Sequence, residues 1–587
     1  MKIVTVAQMV GIEQAADAAG HSYDSMMELA GRSVAAAIRR HMEPWTSTGS
    51  VVVLVGPGNN GGDGLVAARY LRQWDDHRPV NVYCWKRTPG DDANYDAVQQ
   101  LGLPVIHAAD DPQFAQLAGL ITGADLIVDA LLGTGVSRPI GGTLADLLKA
   151  VHQHISKRAE QEGQLPADNG LADAPDVRSA SRSLQEIADY DFLTRSPRAS
   201  VKRPQIVAVD CPSGLNCDTG TLDAAALPAD LTVTFANPKI GHFVVDGPGA
   251  CGRLEVADIG TSPDLARDVT VELATPASMQ KLLPVRPADA HKGTFGKALV
   301  VAGSVPYTGA AHLACAAAYR AGAGLVTAGV VSSIHTILAT GLAEATWLLL
   351  PEHHGVLGPE AARIVVENLK GYASLLVGPG LTQEDETVRF VHELLGIGQR
   401  QQSGIGFVTQ QPSQTRVGTQ TSALKAVPLV LDADALNALA RGDNWHEVLP
   451  ANTILTPHPG EMARLCRCTT ADVRADRIGL ARSKAAEWNA VVLLKGAYTV
   501  VASPDDHATV LPFANPALAT AGSGDVLSGV IVGLLSQGLA AYDAAVLGGY
   551  LHGLAGELAR IDLGEAGVVA GDLIARLPLA IRQLRAA

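Results

Sequence analysis

The chain has 587 residues, 47% apolar and 18% charged, a length beyond what one hydrophobic core organises, so at least two domains are expected. Its 45 basic against 59 acidic residues leave a net charge of −14, and aromatics make up only 4%; such a chain repels a phosphate polymer and lacks stacking platforms, so no nucleic-acid partner is expected. The seven cysteines form neither a CxxC pair nor a zinc spacing, which predicts a reducing compartment and no disulfide. The opening MKIVTVAQMVGIEQA lacks a basic segment followed by an apolar block, and the longest apolar stretches, such as Val526 to Leu535, fall short of a membrane span. A cytoplasmic protein without a membrane partner is expected.

Short runs rich in Val, Ile and Leu, without strict polar alternation, alternate with Ala-rich helical patterns, which predicts α/β architecture with parallel strands covered on both faces. Val51 to Val55 is the first run and leads into GPGNNGGDG, Gly56 to Gly64. Glycines there allow close backbone approach, and the amides of a starting helix can hold a phosphate; a tight strand-to-helix turn is the plainer alternative. The next strand, VNVYCW, ends at Lys86 and Arg87 rather than at a ribose-binding acid, so ordinary hydride-transfer cofactor binding is not expected. Asp125 to Leu132 places Asp129 ahead of Gly133, Thr134 and Gly135, with Arg138 following. A polar stretch, residues 156–203, reads as a surface insertion. Gln205 to Val209 then sets Asp210 ahead of Ser213 and Gly214, and Leu231 to Phe235 is the last clear run of this half. Carboxyl ends of parallel strands converge on one crevice, so Asn60, Asp129, Asp210 and Ser213 are expected to meet there as oxygen ligands for a hard cation. Each acid taken singly could instead cap its own loop.

Pro-rich punctuation in ELATPASMQKLLPVRPADA, Glu272 to Ala290, sets a boundary near residue 275 and so domains 1–275 and 276–587. The second half continues in the same style through Lys297 to Ala302, Ala373 to Val377, Pro428 to Leu431, Thr453 to Thr456 and Val491 to Lys495, with a second polar insertion at 396–426. Two doubly wound units are the economical reading. His458, between two prolines, sits in a stiff loop suited to a fixed ligand contact, or is simply exposed. Lys495, with its following glycine, either meets nucleotide phosphates or is a solvated strand-end lysine. ATAGSGDVLSGVIVGLL places Gly522, Ser523, Gly524 and Asp525 at the start of an apolar helix. Amides there can stabilise charge on a transferring phosphoryl group while Asp525 accepts a hydroxyl proton, unless Asp525 only caps the helix. No P-loop signature is present, so a nucleotide site must be of another type.

Taken together, NNGGDG, DALLGTGVSRPI, VAVDCPSGLNCDTG and ADLTVTFANPKIGH resemble the N-terminal epimerase domain of NAD(P)H-hydrate repair enzymes over nearly all of residues 1–270. The resemblance implies a Rossmann-like fold in which Asn59, Asn60, Gly61, Gly62 and Asp63 contact the hydrated dinucleotide and Asn60, Asp129 and Ser213 hold potassium. It also implies that Gly133, Thr134, Gly135, Val136, Ser137, Arg138 and Pro139 line the substrate and that Asp210 contacts it, as the candidate acid/base group. The ordered set HKGTFG, YTGAAHLACAAAYRAGAGLVTAG, VGPGL, VLDADALNAL, LTPHPGEMARL, LLKGAYT and AGSGDVLSG resembles the ribokinase-like NAD(P)H-hydrate dehydratase domain over roughly residues 280–587. Here the resemblance implies that Ala310, Gly380, His458 and Asp525 contact the hydrate, and that Lys495, Gly496, Ala497, Tyr498, Thr499 and Gly524 contact an adenine nucleotide.

What the two resemblances imply is consecutive repair. The first domain interconverts the R and S hydrates of NADH or NADPH; the second phosphorylates the S hydrate and expels phosphate. ADP, with magnesium on its phosphates, is the expected co-substrate because the two-domain fusion is a prokaryotic arrangement; ATP stays open. A homo-oligomer is expected. The competing readings are a ribokinase-type small-molecule kinase and a noncatalytic N-terminal binding module, the latter opposed by the presence of Asn60, Asp129, Asp210 and Ser213.

Overall fold

In a computed structural model, the described residues are 1–41, 49–90, 92–135, 138–163, 203–398 and 423–586; Val136, Ser137 and most of both insertions lie outside them. They divide into two compact units, Met1–Val269 and Thr270–Ala587.

The first unit is built on β1 (Ser50–Val55), β2 (Val80–Cys84), β3 (Val105–His107), β4 (Ala124–Ala130), β5 (Gln205–Val209), β6 (Leu231–Phe235) and β7 (Arg253–Ala257). All pair in parallel, in the order β3-β2-β1-β4-β5-β6-β7. The uniform apolarity of β1 has a direct cause. Val51, Val53 and Val55 belong to the core on one face of the sheet, whereas Val52 and Leu54 belong to the core on the other, so neither face tolerates a polar residue. Strand order reverses at β1, because the chain steps outward through β2 and β3 and then returns to its other side as β4. A crevice therefore opens past the ends of β1 and β4. Leu54 lies opposite Asp129, and Asp129 opposite Ala208. Counting two residues on, Gly56, Leu131 and Asp210 stand level across three neighbouring strands.

The second unit carries β8 (Val271–Leu273), β9 (Lys297–Val301), β10 (Leu325–Val331), β11 (Thr346–Leu350), β14 (Ser374–Val377), β15 (Leu429–Leu431), β16 (Thr453–Leu455), β17 (Val491–Leu494), β18 (Val500–Ala502) and β19 (Ala508–Val510), with β12 (Glu352–His353) and β13 (Val356–Leu357) forming a separate short ribbon. Its ten-stranded sheet runs β11-β10-β9-β14-β15-β16-β17-β18-β19-β8. The strands from β11 to β17 are parallel, and β18 is antiparallel to both its neighbours. β8, part of which sequence punctuation assigns to a linker, is the edge strand beside β19.

Two helices, Thr308–Arg320 and Ser523–Ser536, lie against each other with almost no side chain between them. A Cβ on Gly529 would stand 2.3 Å from the Ala314 carbonyl oxygen, and one on Gly533 2.6 Å from that of Ala318. The Gly- and Ala-rich composition serves this close approach. No helix among the described residues is long and apolar enough to cross a membrane.

Candidate active sites

The first crevice begins with a sealed turn. A Cβ on Gly56 would lie 1.9 Å from the Leu131 carbonyl oxygen, and one on Gly61 2.1 Å from that of Gly56. Arg87, ion-paired to Asp92, donates to the carbonyls of Gly56 and Gly58 at 3.1 and 2.9 Å and so braces the loop from below. The loop ends in the helix Asn59–Trp74, where Asn59 is exposed and Gly61, Gly62 and Asp63 are buried. Asn60 Nδ2 donates to the Leu132 carbonyl at 2.7 Å, while its Oδ1 is buried without a partner.

Beside Asn60, the fully buried Asp129 carboxylate accepts from Ser213 Oγ at 2.6 Å and from the Ser213 amide at 2.8 Å. Ser213 Oγ in turn accepts from the Leu132 amide at 2.9 Å. Burial pushes the Asp129 carboxyl up to about 6, against the pull of these hydrogen bonds. Asn60 and Ser213 thus bond to the carbonyl and the amide of one residue, Leu132, and the amide, carboxylate and hydroxyl oxygens of Asn60, Asp129 and Ser213 are hard donors, with Asn60 Oδ1 left unsatisfied. That is the chemistry of a hard-cation site. Gly133 packs on Asn60, with its would-be Cβ 3.1 Å from the Asn60 Cβ. Thr134 lies partly buried beyond it, and Gly135, Arg138 and Pro139 are exposed on the same loop.

Asp210 stands immediately after β5 with φ +61°, a left-handed conformation that Asp tolerates better than most residues. Its carboxylate accepts from Lys239 Nζ and, at 2.8 Å, from Thr234 Oγ1. Burial alone would raise this carboxyl; the Lys239 ammonium and the two hydrogen bonds outweigh it and hold Asp210 below the usual carboxylate range. Asp63 is driven the other way. Its burial, reinforced by the nearby Asp210 and Glu13 carboxylates, pushes it well above its ordinary value, with Lys239 and Arg87 offsetting only part. Burial also raises Glu13, with Lys239 opposing.

His242 Nδ1 accepts from the Lys239 amide at 3.2 Å, which leaves the ring proton on Nε2, 3.0 Å from Cys211 Sγ. Burial and the Lys239 charge push this histidine down to about 3, so it is neutral. With its lone pair turned away, the ring is a donor toward sulfur rather than a metal ligand. Cys211 and Cys217, expected to be free thiols, are joined by a disulfide across the turn that contains Ser213; their spacing in sequence resembles no metal or redox motif, and the fold of that turn is what brings them together.

In the second unit the ends of β15, β16 and β17 face the start of the helix Ser523–Ser536. Lys495 Nζ donates at 2.6 Å to Oδ1 of the buried Asp432, whose Oδ2 is buried without a partner. A Cβ on Gly524 would come within 3.3 Å of Lys495 Nζ, so the ammonium stands at the helix N-terminus beside Asp525. Burial, with the Asp432 charge adding and Lys495 opposing, pushes the Asp525 carboxyl up to about 7. Burial likewise brings Glu461 to about 7, against the pull of Lys495.

His458 caps the helix Pro459–Cys466, its Nδ1 accepting from the Gly460 amide at 3.0 Å while Glu461 accepts from the His458 amide at 2.9 Å. Burial and the Lys495 charge keep this ring below its ordinary value. Gly380, at φ +65°, lies against Ala310, with a would-be Cβ 2.7 Å from that of Ala310. Arg477 donates to the Leu494 and Lys495 carbonyls at 3.2 Å and also to that of Ala497, fixing the loop that carries Gly496. Thr499 Oγ1 closes that loop on the Gly496 carbonyl at 2.8 Å, and Tyr498 beside it is buried. The neutral, buried His552, pushed down to about 4 by burial, donates to the Ser523 carbonyl at 2.9 Å.

Sequence reasoning did not single out Glu13, Arg87, Lys239, Asp432, Glu461, Arg477 or His552. Lys239 and Asp432 stand inside quoted motifs, NPKIGH and LDAD, but a lone Lys or Asp at a strand end carries no signal until its partner is placed.

A family model described as NAD(P)H-hydrate dehydratase matches residues 298–399 and 404–579, and one described as YjeF-related protein N-terminus matches 23–164 and 180–241. The chain is similar over 100% of its length to the bifunctional NAD(P)H-hydrate repair enzyme of Moorella thermoacetica, at 37% identity and covering 97% of that protein. The enzyme of the same description from Thermofilum pendens is 33% identical over 100% of this chain and 97% of its own. Among solved structures, the ADP/ATP-dependent NAD(P)H-hydrate dehydratase from Bacillus subtilis, co-crystallized with ATP/Mg2+, is 29% identical and covers 54% of this chain and 99% of its own, with a TM-score of 0.44.

Proposed function

The chain belongs to the family of bifunctional NAD(P)H-hydrate repair enzymes, restoring hydrated NADH and NADPH by epimerisation and nucleotide-dependent dehydration, and we propose that its two crevices divide these steps through the residues described above. In the first, Lys239 holds Asp210 below the usual carboxylate range while burial raises Asp63 well above it, a pairing of environments that separates a base from an acid. Asp210 takes a proton from the hydrated ring, Lys239 keeps that carboxylate available, and Asp63 returns a proton. Asn59, Asn60, Gly61, Gly62 and the 133–139 loop position the dinucleotide. Potassium held by Asn60, Asp129 and Ser213 would supply charge neutralisation and a fixed loop.

In the second crevice Asp525 accepts the proton of the substrate hydroxyl. That oxygen bonds to the terminal phosphorus of ADP as the bond to AMP breaks. The carbon–oxygen bond then breaks to release phosphate, and loss of a proton from the adjacent carbon restores the ring double bond. Lys495 and the Gly522–Gly524 amides stabilise the transferring group. Magnesium would neutralise the nucleotide phosphates. Gly496, Ala497, Tyr498 and Thr499 hold the nucleotide, while Ala310, Gly380 and His458 bound the hydrate.

The observation that carries this reading is Asp525 at about 7 beside Lys495 at a helix N-terminus, a base poised for neutral pH next to a phosphate-binding cation. The test incubates the protein with mixed hydrate epimers, ADP and magnesium and follows reduced-nicotinamide absorbance. The unmodified chain converts everything, Asp210→Ala stops once the S epimer is consumed, and Asp525→Ala converts nothing. Full activity in Asp525→Ala, or a stable phosphorylated product, overturns it.

A further inference from the structure

The second unit contains a cavity of about 470 Å³ away from the catalytic crevice. Four arginines line it, Arg286, Arg320, Arg582 and Arg585, around apolar walls that include the half-buried Leu283, Pro284, Pro578 and Ile581. Its position is fixed by the paired helices. Asp525 lies in the first turn of Ser523–Ser536 and Gln537 just past the last, while Ala310 and Arg320 stand at opposite ends of Thr308–Arg320. At 1.5 Å per residue the cavity is therefore roughly 18 Å from the Asp525 end.

Charge singles this cavity out. Among the described residues no carboxylate lines it, and no ion pair joins any of the four arginines to an acid, in a chain whose net charge is −14. Two of the guanidiniums are held by neutral groups that leave their charge intact. Arg286 donates to the Gly322 carbonyl at 3.1 Å and lies over the Phe295 ring at 3.6 Å, and Arg585 donates to the Pro284 carbonyl at 3.0 Å. The Arg286 and Arg585 charges oppose each other, adding to the effect of burial in lowering Arg286. Arg320 and Arg585 each stand in the last turn of a helix, where a cation favours the dipole. That effect explains neither Arg286, which lies outside any helix, nor why all four converge on one concave surface with an apolar floor.

We propose that this cavity is a ligand site separate from both catalytic crevices, taking an organic phosphate whose head meets the guanidiniums and whose apolar body rests on Leu283, Pro284, Pro578 and Ile581. Guanidinium forks match phosphate oxygens in a bidentate manner, and the volume is that of a small-ligand pocket.

The test is calorimetric titration of the full chain with geranyl diphosphate, inorganic pyrophosphate and geraniol. Geranyl diphosphate binds saturably and more tightly than pyrophosphate, which lacks the apolar body, and than geraniol, which lacks the head. The double variant Arg320→Gln/Arg582→Gln, both side chains exposed, weakens geranyl diphosphate about tenfold or more while keeping its melting temperature and hydrate conversion. Lys495→Gln, which disables the phosphate-binding cation of the catalytic crevice, leaves that binding in place. Binding that survives the arginine substitutions, binding lost in Lys495→Gln, or equal affinity for pyrophosphate and geranyl diphosphate overturns the proposal.

Discussion

The ammonium of Lys239, with its side chain only 1% exposed, is ion-paired to the Asp210 carboxylate. Buried pairs of this kind are costly to break because the survivor is left charged without a partner. Lys239→Met should slow interconversion of the R and S hydrates by on the order of 10²–10⁴, as the buried Asp210 carboxyl loses the cation that favours its charged form and is protonated more of the time. It should also destabilise the first unit by about 3–5 kcal/mol. Adding Asp210→Asn should recover stability but not interconversion, read by calorimetry and by the epimer ratio over time. A single variant with unimpaired interconversion would remove Lys239 from the mechanism.

The base of the second crevice makes its own pH dependence. Since Asp525 titrates at about 7, kcat/KM for dehydration of the S hydrate should rise with pH through that value as the carboxyl ionises. Asp432 is second only to burial in raising Asp525, and it also neutralises Lys495. Asp432→Asn therefore acts twice in one direction, removing a like charge and freeing a cation, and the rising limb should move to lower pH. A limb that stays put or moves upward would contradict this.

If Asn60 Oδ1 completes a potassium site, epimerisation should depend on potassium in a way dehydration of pure S hydrate does not. Replacing potassium chloride by choline chloride should slow the unmodified first crevice, and Asn60→Ala should be slow in both salts. Equal rates in the two salts for the unmodified chain would argue against the cation.

Gly529 tests the packing of the second unit. Its missing Cβ would collide with the Ala314 backbone carbonyl at 2.3 Å, and backbone yields poorly. Gly529→Ala should destabilise the second unit by about 1–3 kcal/mol and lower dehydration, while epimerisation continues unchanged. Calorimetry that shows no shift would mean the helices can part at little cost.

Much of the architecture could be read from residue order, because strands covered on both faces are uninterrupted apolar runs. Gln205–Val209 and Leu231–Phe235 have the bounds expected of them. Val271–Leu273 was hidden by its length and by the prolines after it; only the neighbouring β19 makes it a strand. The pairing of Asp129 with Ser213 could be read from two strand ends that carry oxygen side chains at once. Lys239 could not, since burying an ammonium is sensible only once Asp210 and Thr234 stand beside it. Arg477 and His552 act on backbone carbonyls, Lys495 and Ser523 among them, and contacts to main chain leave no pattern in side-chain order.

The hydrogen-bonded ladder between β4 and β5 joins neighbours in space although residues 131–204 run between them in sequence. The alignment of Asp129 with Ala208, and not the length of chain connecting them, governs where the Asp129 carboxylate and Ser213 come together.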